Sequence, residues 1–454
     1  MTPRGSPLGH DAARAAAEPV LDFPGADAVE VVVSGSSTGL TRYARSEIIQ
    51  NTWRDELRAY VRVVCGNRVA SATTNQLDPD RMKATAARAL EAAKASLPDE
   101  EFPGLPVPDE VGRAEPVYRF DDATVGTSAE ERALAVKRTI DATGSDNAAG
   151  IYETSAHDYA VFSSTGIDCY DAYTRCVCTC LVDIGDSTGW AEDASYRTDG
   201  VDYEAVASRS RAKADEGIGA EDGAPGTYEV ILEASAVGTL LEYFSYMGFG
   251  AKQVLEGESF LASRAGQDVA PATITVADDV RAHHSVGIGF DFEGVPKQRV
   301  AVIDSGRATG PVTDLRTARR MGTASTGHNS GSNEFGPYAS NVVLEPGDAS
   351  LEELVAGIAD GYLVTRFHYV NVLDRPETLL TGMTRDGTFR IRNGELAGAV
   401  RNFRFANSVL GALASARRVG SKVGSFAPEF GAFGWTVAPA VHVGEFRFAS
   451  TTSH

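Results

Sequence analysis

The stretch 226–258, GTYEVILEASAVGTLLEYFSYMGFGAKQVLEGE, constrains the fold more than any other part of the chain. It opens as a strand, Tyr228-Glu229-Val230-Ile231-Leu232, and then changes period. Val237, Leu240, Leu241, Phe244 and Met247 recur at helix spacing and fall on one stripe. The reading is strand, tight turn and buried helix, and the rest of the chain must pack around that unit.

Upstream, residues 1–25 are rich in Ala, Pro and Gly without periodicity and are expected to be disordered. From Ala28 the pattern turns to short strands: Val29 to Val33, a Gly-Ser turn, Leu40 to Ile49, then Leu57 to Cys65, an antiparallel sheet. Asp78-Pro79 starts a helix, with Asp as the cap and Pro in the first turn, and Met82, Ala86, Ala89, Leu90 and Ala93 facing inward. Residues 97–116 hold Pro98, Pro103, Pro106, Pro108 and Pro116 and read as a stiff connector. Ser128 with Glu131, and Ser350 with Glu353, make capping boxes. Asp386-Gly387 and Asn393-Gly394 are hairpin-turn signals.

At 454 residues the chain is too long for one ordinary domain. The acidic, Gly-rich loop 217–226 is the best compositional break. It divides an N-terminal α+β domain, 26–222, with an antiparallel sheet, from a C-terminal β-rich domain, 223–454. The fold class is α+β.

Net charge is −20, from 62 acidic against 42 basic residues, which argues against a nucleic-acid partner because such binding runs on basic patches. No apolar run approaches the length that spans a bilayer, and the N-terminus lacks the apolar region of a secretory signal. Cys65, Cys169, Cys176, Cys178 and Cys180 are an odd set in a long chain, which fits free thiols. The expectation is a cytoplasmic protein with no membrane association.

Several residue patterns invite a chemical reading. Cys176, Cys178 and Cys180 alternate on a strand and face one way, but no return pair completes a zinc site, so small buried side chains are the better reading. Gly35-Ser36-Ser37-Thr38-Gly39 matches the nucleophile elbow of serine hydrolases, yet Leu40 onward looks like a strand where the elbow requires a helix. No phosphate-cradling glycine motif occurs. His283, His284, His328 and His368 lack the spacing of a helical metal pair and read as structural. Asp291 and Glu293, two apart, would share a face on a strand; acid-base chemistry from that pair, or from the scattered His, ranks behind a structural or interface role.

Beyond the central helix the chain carries Asp291-Phe292-Glu293-Gly294-Val295-Pro296, a strand entering a turn at Asp304-Ser305-Gly306, Leu315-Arg316-Thr317-Ala318-Arg319-Arg320 and Ser325-Thr326-Gly327. With LTRYARSEIIQN near the N-terminus, this ordered series, over about residues 28–448, resembles the TldD/PmbA family. In its TldD-like members the helix carries H-E-x-x-x-H after a Leu-Leu pair and binds zinc, with a further Cys ligand near the C-terminus. Here Leu240-Leu241 is followed by Glu242 in place of the first His, Tyr243 in place of the Glu and Met247 in place of the second His, and the last Cys is Cys180. Phenol and thioether cannot replace a carboxylate base and an imidazole ligand.

The resemblance therefore implies a TldE-like chain with no catalytic residue and no metal or cofactor of its own. Glu242, Tyr243, Tyr246 and Met247 are its candidate cavity-lining residues. Zinc is expected on a TldD-like partner in a heterodimeric metallopeptidase or amidohydrolase, which cuts peptide or amide substrates and takes part in peptide maturation. The alternative is a homodimeric peptide-binding or scaffolding protein without hydrolytic activity.

Overall fold

The computed structural model describes residues 8–428 and 434–452. It is an α+β protein built on two sheets. The first has six antiparallel strands: β1 (Ala28–Ala44), β2 (Glu47–Cys65), β3 (Arg68–Thr74), β4 (Ala148–Ser163), β5 (Asp168–Ile184) and β6 (Ser187–Ser195), in the order β3-β2-β1-β4-β5-β6. Strand alternation divides β1 between two cores. Val29, Val31 and Val33 face the helices α1 (His10–Leu21) and α2 (Pro79–Ala95), while Val32 packs toward Phe290 and Trp435 of the second sheet's side.

Helix α1 corrects the expectation of disorder for residues 1–25; residues 1–7 lie outside the described residues. Its Ala13, Ala16, Ala17 and Val20 are buried, and their spacing of three, four and seven is a helical stripe made of small side chains. The expected Gly-Ser turn is absent: β1 runs unbroken through 35–39, and the chain reverses at Arg45 and Ser46, both at positive φ. Asp78 caps α2 by accepting from the Arg81 N–H at 3.1 Å, and both expected capping boxes form.

The second sheet has eleven strands. Strand β7 (Gly226–Leu232) pairs in parallel with Asp360–Asp374 and antiparallel with Trp435–Thr451, so the ladder through Leu379–Arg392 and Phe403–Ser408 closes on itself as a barrel. One residue, Glu233, separates β7 from the helix Ala234–Gly248, whose Val237, Leu240, Leu241, Phe244 and Met247 fill the adjoining core. Asn393-Gly394 turns a hairpin as expected. Asp386-Gly387 does not; it is a bulge inside Leu379–Arg392, where the positive φ of both residues is used to aim the Asp386 carboxylate at Arg366 and Thr188. No helix among the described residues is long and apolar enough to cross a membrane.

Candidate functional site

The turn 290–297 carries two glycine-dependent features. Gly294 has φ 77°, and a Cβ there would strike Ile167, between β4 and β5. Gly327 has φ 74°, and a Cβ there would strike the Pro296 carbonyl, so the S-T-G turn and the D-x-E-G-x-P turn lie backbone against backbone. This close approach brings His328 and Asn329 beside Asp291 and Lys297.

These turns and the helix Ala234–Gly248 enclose a cavity of about 610 Å³. Its walls are Tyr243, Tyr246, Phe292, Phe335, Tyr338 and Val372; its polar lining includes Asp291, Lys297, His328 and Asn329. Tyr243 donates its hydroxyl to the Val370 carbonyl at 2.6 Å, which fixes the ring. Tyr246 receives Arg375 both at its hydroxyl, 3.2 Å, and over its face, 5.1 Å from the ring centre.

The floor is a buried polar network. Asp278 accepts from the Asn341 N–H at 2.7 Å and stands 3.0 Å from His328 Nε2, and His328 Nδ1 lies 2.9 Å from Thr326 Oγ1. Burial alone would raise the Asp278 carboxyl, but His328, Lys297 and the Asn341 amide hold it below the usual carboxylate range. Lys297 donates to Ser340 Oγ at 2.8 Å and Asn341 Oδ1 at 3.1 Å; burial pushes its ammonium down, against the pull of Asp278 and Asp291. Asp291 accepts the Glu293, Val295 and Asn329 N–H groups, yet burial outweighs them and raises it.

The candidates named from sequence separate here. Tyr243 and Tyr246 line the cavity. Met247 is wholly buried in the barrel core, and Glu242 is buried at 8% exposure, where its charge adds to burial in raising the Tyr338 phenol. Asp291 and Glu293 do not share a face: the segment is a tight turn, so Asp291 reaches the cavity while Glu293 points to Arg62. His328 is brought into the cavity, whereas His283 and His284 line a different one. The three alternating Cys are buried beneath Ala129–Thr143 and Tyr203–Glu216 as core. Lys297, Asn329, Phe335, Tyr338 and Val372 carried no sequence signal of a site, apart from Lys297 following the first turn motif directly and Asn329 standing two residues after the second.

The residues at the helix do not fit a zinc ion. The Tyr243 hydroxyl is committed to a backbone carbonyl, and Met247 offers a buried thioether.

Fold and site together define a two-sheet α+β protein with a ligand-sized aromatic cavity where a buried helix meets two glycine turns. Residues 225–450 match the model of the PmbA/TldA metallopeptidase C-terminal domain and residues 29–93 that of the PmbA/TldA metallopeptidase domain 1. The chain belongs to the TldD/PmbA family. It is 25% identical over 222 residues to a metalloprotease of Methanothermobacter thermautotrophicus, covering 48% of each chain. It is 24% identical over 208 residues to a metalloprotease TldD homolog of Buchnera aphidicola, covering 45% of this chain and 42% of that one. The matched region thus spans less than half the length of these curated relatives. In structure it is similar to TldE from Thermococcus kodakarensis, with TM-score 0.86 and 22% identity over 96% of this chain and 100% of the other. It is also similar to a putative modulator of a DNA gyrase from Thermotoga maritima, with TM-score 0.79 and 19% identity over 93% and 96%. At these identities the likeness is one of fold.

Proposed function

We propose that this chain is the non-catalytic, TldE-like subunit of a heterodimeric zinc metallopeptidase or amidohydrolase. A TldD-like partner carries the zinc and hydrolyses the peptide or amide bond; this chain completes the substrate cavity. The observation that carries the reading is the chemistry of one helix. Where the family's zinc-binding members place H-E-x-x-x-H, this chain has Glu242, Tyr243 and Met247, with the phenol hydrogen-bonded to Val370 and the thioether sealed in the core. A hydrolytic zinc needs about three protein ligands and an open position for water. The likeness to TldE from Thermococcus kodakarensis supports the same subunit type.

Elemental analysis and native mass spectrometry test the proposal together. The purified chain is expected to hold no stoichiometric zinc and to cleave no peptide. With a TldD-like chain it is expected to form a one-to-one complex that does both. One zinc per chain in the pure protein would overturn the reading. A stable homodimer that ignores a TldD-like companion would favour the binding or scaffolding alternative.

A further inference from the structure

The geometry points to the cavity beside Ala234–Gly248 as a recognition pocket for an uncharged amide bearing an aromatic side chain. The ring sits among the aromatic walls, and the amide group lies between Lys297 and Asp291. The inference rests on the proposed function only in taking this cavity as the one that faces substrate.

Size and lining set the ligand. A volume of about 610 Å³ holds an aromatic side chain with the peptide groups on either side of it. Tyr246 and Phe335 stand 5.9 Å apart and tilted at 53°, and Phe292 meets Tyr159 edge-on, so the walls are rings already held at angles that accept another ring's edge or face. Phe335 is 48% exposed, which leaves this wall reachable from solvent.

The polar lining selects against net charge. Lys297 and Asp291 both line the cavity, and Asp278 lies behind Lys297. A carboxylate drawn to the ammonium meets Asp291, and a cation drawn to Asp291 meets Lys297. An amide has an acceptor for the one and a donor for the other. Asp291 Oδ2 takes the Asn329 N–H at 2.8 Å, and a carboxylate oxygen can accept a second hydrogen bond.

Isothermal titration calorimetry of the full chain, alone and with its co-purified companion, tests this with three probes: N-acetyl-phenylalaninamide, N-acetyl-alaninamide and N-acetyl-phenylalanine as the free acid. The aromatic amide is expected to bind at least about tenfold more tightly than the alanine amide, as burial of one aromatic side chain requires. The free acid is expected to bind several-fold more weakly than the aromatic amide. Val372→Trp, on a partly exposed wall, fills the pocket and is expected to weaken the aromatic amide at least about tenfold with the thermal midpoint retained. If that variant unfolds, the half-exposed Phe335→Ala replaces it, with a loss of several-fold. Equal affinity for the two amides, preference for the free acid, an unchanged affinity in the folded wall variant, or no saturable binding by any probe would each overturn the inference. The titration of the chain alone is read without zinc, so its failure leaves the metal and partner measurements standing, and zinc on this chain would leave the binding result standing.

Discussion

Two buried clusters of charge flank the turn 290–297, and they are built differently. On the cavity floor, Asp278 is tied by a 2.7 Å hydrogen bond to Asn341 and a 3.0 Å contact to His328, with Lys297 held in turn by Ser340 and Asn341. Across the first sheet, Glu30 of β1 and Arg62 of β2 are direct partners in the ladder, but Arg62 stands 3.5 Å from Glu30 and 3.5 Å from Glu293. Among the described residues neither Glu30 oxygen makes a hydrogen bond. Short hydrogen bonds repay the desolvation of charge, whereas a loose ion pair leaves part of that cost standing. The first cluster fixes a floor; the second links two sheets and leaves protonation as the escape route for its carboxyls.

The largest effect is expected on the floor. Asp278→Ala strips the carboxylate from His328, removes the compensating charge near the buried Lys297 ammonium and orphans the Asn341 N–H. Removing one partner of a buried, hydrogen-bonded pair costs about 3–5 kcal/mol. Urea denaturation at neutral pH measures it, and a loss under about 1 kcal/mol would erase the contrast between the clusters.

The same contrast explains what was legible in the sequence. Helix Ala234–Gly248, α2 and the capping boxes could be read because their signals are local: a stripe, a cap, a three-residue spacing. The small-residue stripe of α1 was equally local, but a composition dominated by Ala hid it. The cavity was only half legible. Tyr243 and Tyr246 followed from their helix, whereas His328, Lys297 and Tyr338 meet there through contacts far apart in the chain. Asp291 and Glu293 misled because the alternation argument assumes a strand, and Gly294 makes a turn. Arg62 carries no local signal at all: it becomes a buried cation only where Glu30 of the neighbouring strand and Glu293, more than two hundred residues on, meet it.

Arg62→Met should cost less than the floor mutation, and its cost should depend on pH. Burial raises both Glu30 and Glu293, with the Asp291 charge adding to the rise at Glu293, and Arg62 opposes it in both. A carboxyl whose folded value lies above its unfolded value contributes stability that is complete below the unfolded value and lost as pH rises through the folded one. Without Arg62 both folded values move further up, so the loss continues to higher pH. The expected penalty is within about 1 kcal/mol at pH 5 and about 2–3 kcal/mol at pH 8. Urea titrations at the two pH values decide the matter, and a penalty independent of pH would show that the cluster does not escape by protonation.

Glu30→Gln gives the smallest and most discriminating effect. In the folded protein Glu30 is raised because burial outweighs its attraction to Arg62, so its ionisation weakens the fold as pH rises. The amide has the same shape, is cheaper to bury and no longer adds to the rise at Glu293. The variant should therefore match the parent near pH 5 and gain on it toward pH 8, by about 1 kcal/mol. Thermal unfolding midpoints taken at successive pH values measure the difference directly. A variant that falls behind the parent as pH rises would mean that the Glu30–Arg62 attraction exceeds the burial cost, which would place this cluster with the floor rather than apart from it.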